Sequence, residues 1–455
     1  MAVTAGRRLL VAGGTVWDEQ GGRRADVLVD GETIAAVGNL AGEVGEAEVI
    51  EASGLDVLPG FIDFHVHLDD RIGGVEIADD FASGSEIAIR NGITTLMSFA
   101  TQRPEETLDA AVGRWVARAG GRSHCDVGFH LTPTAWPWDR PEVERLVARG
   151  FRTFKLYTTY RPAGLYTDYE RLDEAMRALA RLGAGLLVHC EDDATLAGID
   201  SASLDLREPF SHTRLRPEAA EVTAIGRVLD SARRAGCRLH VVHVSTADGV
   251  ALIDAARSRQ EVSCETGPHY LLLDDARLAA EDGQGLLCTP PLRSAATRAR
   301  LEAAAVAGAF DLFATDHCPF RRTDKLAPRP DVRTVPNGLP GLGALVPLVF
   351  ELLVASHRRP LAELVVRLAA NPARVAGLYP RKGVIRPGSD ADLVVVDPAG
   401  PQRPVVATLA DCPDPWHGRT TTLAVRRVVR RGEVVVADGR LVAPDRRGGR
   451  VLAAA

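Results

Sequence analysis

The chain has 455 residues, 46% hydrophobic and 25% charged, with a formal net charge of −6. This length predicts one large domain plus a smaller one, or two domains. The charge gives no reason to expect nucleic acid or an anionic membrane as a partner. No run approaches the roughly 20 apolar residues of a membrane-spanning helix, and the N terminus lacks a long apolar signal core, so a cytoplasmic protein is expected.

Short alternating strands are predicted at both ends of the chain. Residues 6–56 and 384–440 combine β-branched runs with Gly and Asp turns and show little helical pattern. We expect residues 1–56 and 381–455 to pair into one small β-sandwich, although they lie far apart in sequence. The last ten residues, RRGGRVLAAA, are expected to form a flexible tail or an arm onto a neighbouring subunit.

Eight apolar, β-branched segments lie between these ends and alternate with helical stretches. They are VLPGFIDFHVH, TTLMSFA, DVGFHLT, RTFKLYT, GLLVHCE, RLHVVHVS, EVSCETG and DLFATDH. Strands that are apolar on both faces and separated by helices are typical of a parallel sheet. Eight of them predict an α/β fold, a (β/α)8 TIM barrel over residues 57–380, whose active site lies at the carboxyl ends of the strands.

Seven cysteines form an odd set without a C-x-x-C pair. Most lie in apolar runs such as GLLVHC. This pattern favours buried free thiols over a disulfide framework or a thiolate metal site.

Metal-binding side chains recur where the predicted strands end. His65 and His67 close the first strand, and residues i and i+2 of a strand share a face, so both rings can point to the barrel mouth. Two converging neutral imidazoles are typical of a Zn²⁺ site. An H-x-H pair alone is a weak signal, but its position at a strand end strengthens it. Three later strands end in further ligand types: His189, His243 and Asp316.

The other histidines are expected to have structural roles. His240 is an odd number of residues from His243, so its ring should face the outer helices as a hydrogen-bonded structural group. Packing, or hydrogen bonds behind the ligands, is expected for His130, His269 and His317. Positions in loops or on helix surfaces are expected for the remaining four: His124, His212, His357 and His417.

Lysine is rare in this sequence. Lys155, Lys325 and Lys382 are the only lysines among 54 basic residues. Lys155 lies in the apolar segment TFKLYTTY, which indicates chemistry that a guanidinium cannot supply. Beside divalent cations its ammonium should lose a proton. The neutral amine can then add carbon dioxide, and the resulting carbamate can bridge two metals. The alternative is a lysine that extends out of the barrel or pairs with a buried acid.

Many motifs together carry a family resemblance. They are PGFIDFHVHLDD, GGVEIADDFASGS, TFKLYTTY, LLVHCED, HVVHVSTADG, ETGPHYLLL, TPPLR, ATDHCPF, VPNGLPG, NPARVAGLYPRKG and GSDADLVVVDP. With them the chain resembles the amidohydrolase superfamily and, within it, the cyclic amidases, namely dihydropyrimidinases and D-hydantoinases. The likeness covers nearly the whole chain.

The resemblance implies two Zn²⁺ ions per subunit, with Mn²⁺ or Co²⁺ as alternatives. One metal would be held by His65, His67 and Asp316, and the other by His189 and His243. An N6-carboxylated Lys155 would bridge them. The resemblance also implies a homotetramer.

The resemblance also implies substrate contacts. Tyr160, five residues after Lys155, would polarise the substrate carbonyl, and the backbones of Thr289 and Asn337 would contact the substrate amide. A metal-bridging hydroxide would attack the carbonyl, and Asp316 would pass its proton to the departing nitrogen. The ring of a hydantoin or dihydropyrimidine would open to an N-carbamoyl amino acid. A packed aromatic side chain and a simple Asn-Gly turn are the alternatives for Tyr160 and Asn337.

Three other functions share much of this pattern. Dihydroorotase uses the arginine of an H-x-H-x-R motif for its substrate, but this chain has Asp69 there. Allantoinase lacks the tyrosine that stands here as Tyr160. A non-catalytic scaffold related to dihydropyrimidinases loses metal ligands, and this chain keeps all six.

Two segments depart from typical hydantoinases and predict a more polar substrate pocket. Asp70, Arg71 and Ile72 follow the HLD motif, and residues 157–159 read Tyr-Thr-Thr. Arg71 is hypothesised to favour a ring with a polar or anionic substituent. A surface ion pair between Arg71 and Asp70 is the alternative. The natural ring and its enantiomer are left open.

Overall fold

Strands from the N-terminal end begin a sheet in this computed structural model, which describes residues 8–40 and 46–452. They are β1 (Arg8–Asp18), β2 (Gly21–Asp30), β3 (Thr33–Gly38), β4 (Glu48–Glu51) and β5 (Asp56–Pro59). β1 pairs antiparallel with β2 and parallel with both β4 and β5.

Eight parallel strands form the barrel, in chain order. The first is β6 (Phe61–Asp63), which is followed by a hairpin of β7 (Arg71–Ile72) and β8 (Val75–Glu76). The other seven are β9 (Ile93–Thr101), β10 (Asp126–Thr132), β11 (Thr153–Tyr157), β12 (Gly185–His189), β13 (Arg238–Val241), β14 (Val262–Thr266) and β15 (Leu312–Phe313). A parallel bridge between Val66 and His317 links the two ends of the sheet. The predicted barrel is confirmed.

Helices lie between and after the strands of the barrel in the chain. They are α1 (Phe81–Arg90), α2 (Leu108–Ala119), α3 (Arg140–Ala148), α4 (Tyr169–Arg181), α5 (Asp193–Ala197), α6 (Ser211–Leu215), α7 (Glu218–Ala235), α8 (Ala247–Ala256), α9 (Pro268–Leu272), α10 (Ala295–Ala307), α11 (Arg322–Lys325), α12 (Leu345–Val349), α13 (Ala362–Val365) and α14 (Asn371–Ala376). Two π-helical segments, Phe350–Ser356 and Val366–Ala370, continue α12 and α13. Among the helices in residues 8–40 and 46–452, none combines the length and hydrophobicity that a bilayer crossing requires.

Helix α4 illustrates why these segments are helical. Asp168 caps its first turn, because its carboxylate accepts the backbone N–H of Arg171 at 2.9 Å. Leu172, Met176 and Leu179 recur at helical spacing and are fully buried. The apolar stripe therefore packs on the barrel while the charged face meets solvent.

Strands from the C-terminal end complete the first sheet. They are β16 (Leu393–Asp397), β19 (Ala424–Arg430), β20 (Glu433–Ala437) and β21 (Arg440–Leu441), with a separate pair of β17 (Arg403–Pro404) and β18 (Thr420–Thr421). β16 pairs antiparallel with β5, so both chain ends join one nine-stranded sheet. Buried residues from both ends, such as Val29 and Val429, share its core. The predicted association of the ends is confirmed, while the domain limits 1–56, 57–380 and 381–455 stay a prediction.

The first predicted strand divides at Gly60. Its first part is β5 in the terminal sheet, and its second part is β6 in the barrel. A Cβ atom on Gly60 would lie 2.2 Å from Thr94 Oγ1. Only glycine fits where the chain passes this closely from one sheet into the other.

The C-terminal segment packs on its own barrel rather than forming a free tail. Val127 N–H donates to Arg450 O at 2.8 Å, and Leu452 N–H donates to Val127 O at 2.7 Å. A Cβ atom on Gly449 would lie 1.9 Å from Cys125 O, so the close approach needs glycine. The expectation of a flexible tail is therefore wrong for residues 446–452. The final three residues lie outside the described part.

All seven cysteines are buried and free, as predicted. They are Cys125, Cys190, Cys237, Cys264, Cys288, Cys318 and Cys412. Burial raises the pKa of the Cys264 and Cys288 thiols to about 12. Such thiols stay protonated at neutral pH and are poor nucleophiles.

A buried ion network joins the barrel to the terminal sheet. Lys382 Nζ lies 2.8 Å from Asp126 Oδ2, 2.6 Å from Asp392 Oδ2 and 3.0 Å from Asp390 Oδ2. Arg431 also pairs with Asp126, which lies on β10. Because three carboxylates surround one ammonium in a dry site, removing that ammonium leaves uncompensated buried charge.

Replacement of Lys382 by methionine is expected to destabilise the fold by about 3–5 kcal/mol, because the three aspartates would then repel one another. Urea denaturation of the parent and the variant measures this difference. Arg427→Met is the control, since Arg427 pairs with the exposed Asp438 at 3.0 Å and should cost about 0–1 kcal/mol. Equal midpoints for Lys382→Met and Arg427→Met would contradict this assignment.

Candidate metal centre

The six predicted ligands all lie at the carboxyl end of the barrel. His65 and His67 follow β6, Lys155 lies on β11, and His189 ends β12. His243 and Asp316 lie just beyond β13 and β15. The strand ends thus bring together side chains that are up to 251 positions apart in the sequence.

Asp316 lies between the first two histidines. Its Oδ1 is 3.2 Å from His65 Nε2 and 3.3 Å from His67 Nε2. Burial raises the pKa of Asp316, but His65 and His67 outweigh it and hold that pKa at about 2. The carboxylate is therefore ionised at neutral pH. Ligand atoms of His65, His243 and Asp316 all lie within 4.8 Å of one another, a spacing that one metal ion fits.

His189 and His243 form a second pair. His189 Nδ1 lies 2.9 Å from His243 Nε2, and the ring centroids are 4.6 Å apart. Burial lowers the pKa of both imidazoles, although Glu191 partly opposes the shift at His189. Neutral imidazole is the form that binds metal ions.

Buried carboxylates hold the outer nitrogens of two of these rings. His65 Nδ1 lies 2.5 Å from Glu265 Oε1, and His189 Nε2 lies 2.8 Å from Glu191 Oε2. Each contact fixes the ring orientation and directs the other nitrogen to the barrel mouth. Carboxylates behind metal-binding histidines commonly have this function.

Lys155 is buried beside the histidines. Its amine makes no hydrogen bond to any described residue, and it lies 5.5 Å from the Phe99 ring centroid. Burial lowers the Lys155 pKa to about 8, although Glu265 and Asp316 oppose the shift. Lys155 also depresses the pKa of His65, after the larger effect of burial. A buried polar atom without a partner is rare in folded proteins and calls for a ligand or a modification.

This donor set fits a divalent-metal centre. Neutral imidazole nitrogens and an ionised carboxylate converge, and their other atoms are hydrogen-bonded from behind. The unpartnered amine of Lys155 lies among them. Such a set of nitrogen and oxygen ligands suits Zn²⁺ and similar ions.

Three predicted site residues have positive φ angles. The values are 72° for Tyr160, 39° for His243 and 47° for Asp316. This conformation is unfavourable for residues other than glycine, and it clusters at functional sites. It also turns His243 and Asp316 away from the regular strand direction just after their strands end.

Tyr160 lies at the edge of the same centre. Its ring centroid is 5.0 Å from that of His189, and the Arg216 guanidinium lies 5.1 Å from the Tyr160 centroid. Arg216 also pairs with Glu191. Burial raises the Tyr160 pKa, so its phenol keeps the proton that it would donate.

Thr289 and Asn337 lie on neighbouring segments. Gly338 N–H donates to Leu287 O at 2.9 Å, which joins the two segments directly. The Thr289 hydroxyl lies 3.3 Å from His212 Nε2, and its proximity to the Tyr160 phenol slightly opposes the rise that burial causes in the Tyr160 pKa. The Asn337 side-chain oxygen is buried and has no partner within the described residues. The segments that carry Thr289 and Asn337 are thus joined to each other, and Thr289 lies near Tyr160.

The prediction for the orientation of His240 is wrong. Its Nε2 lies 3.1 Å from Glu265 Oε2, and its ring centroid is 5.1 Å from that of Phe64 inside the barrel. β13 ends at Val241, so counting alternate faces back from His243 fails. The expected hydrogen-bonded role holds, because Nδ1 also bonds Ser263 Oγ at 2.8 Å.

Five other histidines are hydrogen-bonded or buried. His130 bonds Phe64 O at 2.9 Å, and His317 Nε2 bonds Asp79 at 3.1 Å; His269 is buried with its ring against Tyr270. The surface prediction is wrong for two others, because His124 and His212 are buried. His212 Nε2 donates to Cys288 O at 2.9 Å, which holds it in the interior. His357 and His417 are exposed, as predicted.

Arg71 lies on the outer side of the β7–β8 hairpin. Its side chain is 64% exposed and pairs with Glu76 at 3.0 Å, rather than with the Asp70 carboxylate. Thr158 is buried and donates to His189 O at 3.0 Å. Arg71 thus makes a surface ion pair, but with Glu76 and not with Asp70 as the alternative held, and the Thr158 hydroxyl is taken up by backbone carbonyls.

Three buried residues near the site have no role predicted from the sequence: Glu265, Glu191 and Lys325. Each glutamate stands in a quoted motif, ETGPHYLLL or LLVHCED, at or just after the end of a predicted strand. A charged residue inside such an apolar run was the available signal, because buried carboxylates need partners. For Lys325 the available signal was the rarity of lysine in this sequence.

Comparisons with known proteins agree with this geometry. Residues 57–435 match the model of the Amidohydrolase family. The chain is 34% identical to a D-phenylhydantoinase of Escherichia coli over 450 residues, covering 97% of each protein. The crystal structure of dihydropyrimidinase from Brevibacillus agri NCHU1002 superimposes with a TM-score of 0.93 at 33% identity, over 98% of each chain.

An L-hydantoinase (dihydropyrimidinase) from Arthrobacter aurescens has a similar fold. Its TM-score is 0.86 at 31% identity, with 96% of this chain and 97% of that chain covered. A D-hydantoinase from Bacillus sp. AR9 gives 0.92 at 33% identity, with 98% of each chain covered. A D-hydantoinase and an L-hydantoinase therefore share this fold, so the fold alone does not determine which enantiomer of the substrate is preferred.

Glu265→Gln is expected to weaken divalent-metal binding about 10–100-fold, because the amide cannot hold His65 Nδ1 and His240 Nε2 as an anion does. Competition with a metal-sensitive dye measures the affinity. Glu261→Gln is the control, since Glu261 precedes the same strand and is exposed. If Glu265→Gln binds metal as tightly as the control, Glu265 has no part in the metal centre.

Proposed function

The chain belongs to the amidohydrolase family, and we propose on that basis that it opens cyclic amides by metal-dependent hydrolysis. The chain is a hydrolase of C–N bonds in cyclic amides. The substrates proposed are hydantoins or dihydropyrimidines, and the products are N-carbamoyl amino acids. The predicted resemblance to dihydropyrimidinases and D-hydantoinases is confirmed. The observation that carries the proposal is the cluster at the barrel mouth, where His65, His243 and Asp316 have metal-binding spacing, Asp316 contacts His67, and His189 contacts His243.

Two Zn²⁺ ions are proposed for the centre, with Mn²⁺ or Co²⁺ as substitutes. His65, His67 and Asp316 would hold one, and His189 with His243 the other. Bound cations supply Lewis acidity and lower the pKa of water to about 7.

Lys155 is proposed to carry the bridging carboxylate. Its neutral Nζ attacks carbon dioxide, a C–N bond forms, and one proton leaves to water. The lowered pKa and the lack of hydrogen-bond partners support this reaction, because the free amine is the nucleophile. The new anion would lie beside the buried imidazoles of His65, His189 and His243, whose pKa values burial and the Lys155 charge both lower.

Asp316 and Tyr160 are the proposed catalytic residues. The Asp316 carboxylate would accept a proton from the attacking water and return it to the ring nitrogen as the C–N bond breaks. The Tyr160 hydroxyl would donate to the substrate carbonyl oxygen, where negative charge develops. The backbones of Thr289 and Asn337 would orient the ring amide.

Two further features complete the proposal. Buried free thiols support a reducing, cytoplasmic location. The homotetramer implied by the resemblance stays a prediction, and sedimentation velocity tests it.

A substrate panel is expected to give the highest kcat/KM with dihydrouracil, hydantoin or a 5-substituted hydantoin. The reason is that Tyr160, five residues after Lys155, and Asp69 both match the pattern of cyclic amidases. Allantoin and dihydroorotate complete the panel, and metal content is measured on the same protein. Turnover of only allantoin or dihydroorotate would change the substrate class. Protein that binds no metal and turns over none of these compounds would favour the scaffold alternative.

Lys155→Arg is expected to lose both activity and bound metal, because the guanidinium keeps the charge but cannot become the bridging carbamate. Tyr160→Phe is the control: its kcat should fall about 10²–10³-fold while its metal content stays at the parent level. Metal analysis, together with ¹³C NMR of parent protein exchanged with labelled bicarbonate, provides the measurement. Active parent protein without a carbamate signal would disprove the bridging role.

A further inference from the structure

Lys325 is a buried lysine that supports the two segments carrying Thr289 and Asn337. Its Nζ donates to Leu287 O at 2.5 Å, Pro336 O at 2.6 Å and Gly338 O at 3.0 Å. The residue is 1% exposed. All three ammonium hydrogens are therefore used, each on a backbone carbonyl.

No carboxylate balances this charge within the described residues, whereas the other buried lysine outside the metal centre, Lys382, has three. The nearest aromatic ring, Phe320, has its centroid 5.8 Å away. Burying an ammonium costs free energy unless its hydrogens are bonded, and here neutral carbonyls alone provide the bonds. A methionine or leucine would fill the same volume without that cost, so the charge itself has a use.

The three contacts of Lys325 determine in which direction the amide groups of residues 336–338 point. In a trans peptide the N–H points opposite to the C=O, and the Pro336–Asn337 bond is trans. Because Lys325 holds Pro336 O on its own side, the Asn337 N–H is turned to the other side. Gly338 N–H also donates to Leu287 O at 2.9 Å. This bond fixes the position of residues 336–338 relative to residues 287–289.

The support of Lys325 is itself rigid. Gln284 Nε2 donates to Lys325 O at 2.7 Å and to Ala327 O at 2.8 Å. A Cβ atom on Gly338 would lie 2.3 Å from Cys318 O, so this residue packs against the strand end that leads from Asp316. The lysine thus connects the substrate-facing backbone to the barrel mouth.

We propose that Lys325 is a positioning residue for the substrate amide: its ammonium holds residues 287–289 and 336–338 so that the backbones of Thr289 and Asn337 bind the ring. This inference rests on the proposed function. Lys325 does not touch the metal ligands, so its effect is on substrate binding rather than on metal binding or proton transfer.

The test compares Lys325→Met with the parent on the best substrate of the panel. KM is expected to rise at least about tenfold, since bonds worth about 1.5 kcal/mol or more are lost, with a smaller change in kcat and an unchanged metal content. Lys325→Gln retains two N–H donors and should give a smaller rise in KM. If Lys325→Met does not fold, Lys325→Gln is compared with the parent alone.

Lys382→Met is the matched control, because it removes the other buried structural lysine, at the end of the barrel away from the substrate. It should lower stability and leave KM at the parent value. Parent-like KM in the Lys325 variants, or a loss confined to kcat, would overturn the positioning role. A parent that turns over no cyclic amide would instead overturn the proposed function, so the two failures are distinguishable.

Discussion

The hydrogen bond between Glu265 and His65 sets the geometry on which the candidate centre depends. At 2.5 Å it determines which imidazole nitrogen faces the barrel mouth. Burial favours the neutral carboxyl, but His65 and His240 outweigh it and lower the Glu265 pKa, so the residue remains an anion in the barrel interior. Glu191 acts on His189 in the same way. Because these carboxylates hold the outer nitrogens, the inner nitrogens converge without any flexible loop having to place them.

The strand ends supply the second constraint. Parallel strands bring distant residues to one edge, but regular alternation alone would aim only some of them inward. His243 and Asp316 reach the centre through positive φ angles just after short strands end. Asp63, at the end of β6, accepts the Thr315 N–H at 3.1 Å and the Thr315 hydroxyl at 2.6 Å. That contact holds the residue before Asp316, so the first and last barrel strands stabilise the strained position together.

The sequence predicted the features that follow from local pattern. Eight apolar runs indicated the barrel. Ligand types at their ends indicated five of the six residues that the structure brings together, and the rarity of lysine indicated the sixth, Lys155. The misses share a physical cause, which is contact between residues far apart in the chain. His240 faces inward because its ring donates a hydrogen bond to the Glu265 carboxylate, and His212 is buried because its ring donates to Cys288 O. The C-terminal segment is ordered by backbone bonds to Val127. None of these partners can be identified from spacing.

The three lysines show how one side chain takes different roles according to its partners. Lys382 has three carboxylates and keeps its proton, since their attraction outweighs burial and raises its pKa. Lys325 has three neutral carbonyls that bond all its hydrogens. Lys155 has no hydrogen-bond partner among the described residues, and burial lowers its pKa to about 8. A compact ammonium fits the sites of Lys325 and Lys382, where a planar guanidinium with five donors would leave several unsatisfied, whereas the Lys155 site needs an amine that can lose its proton. The same argument explains why lysine persists at these positions in a chain that otherwise uses arginine.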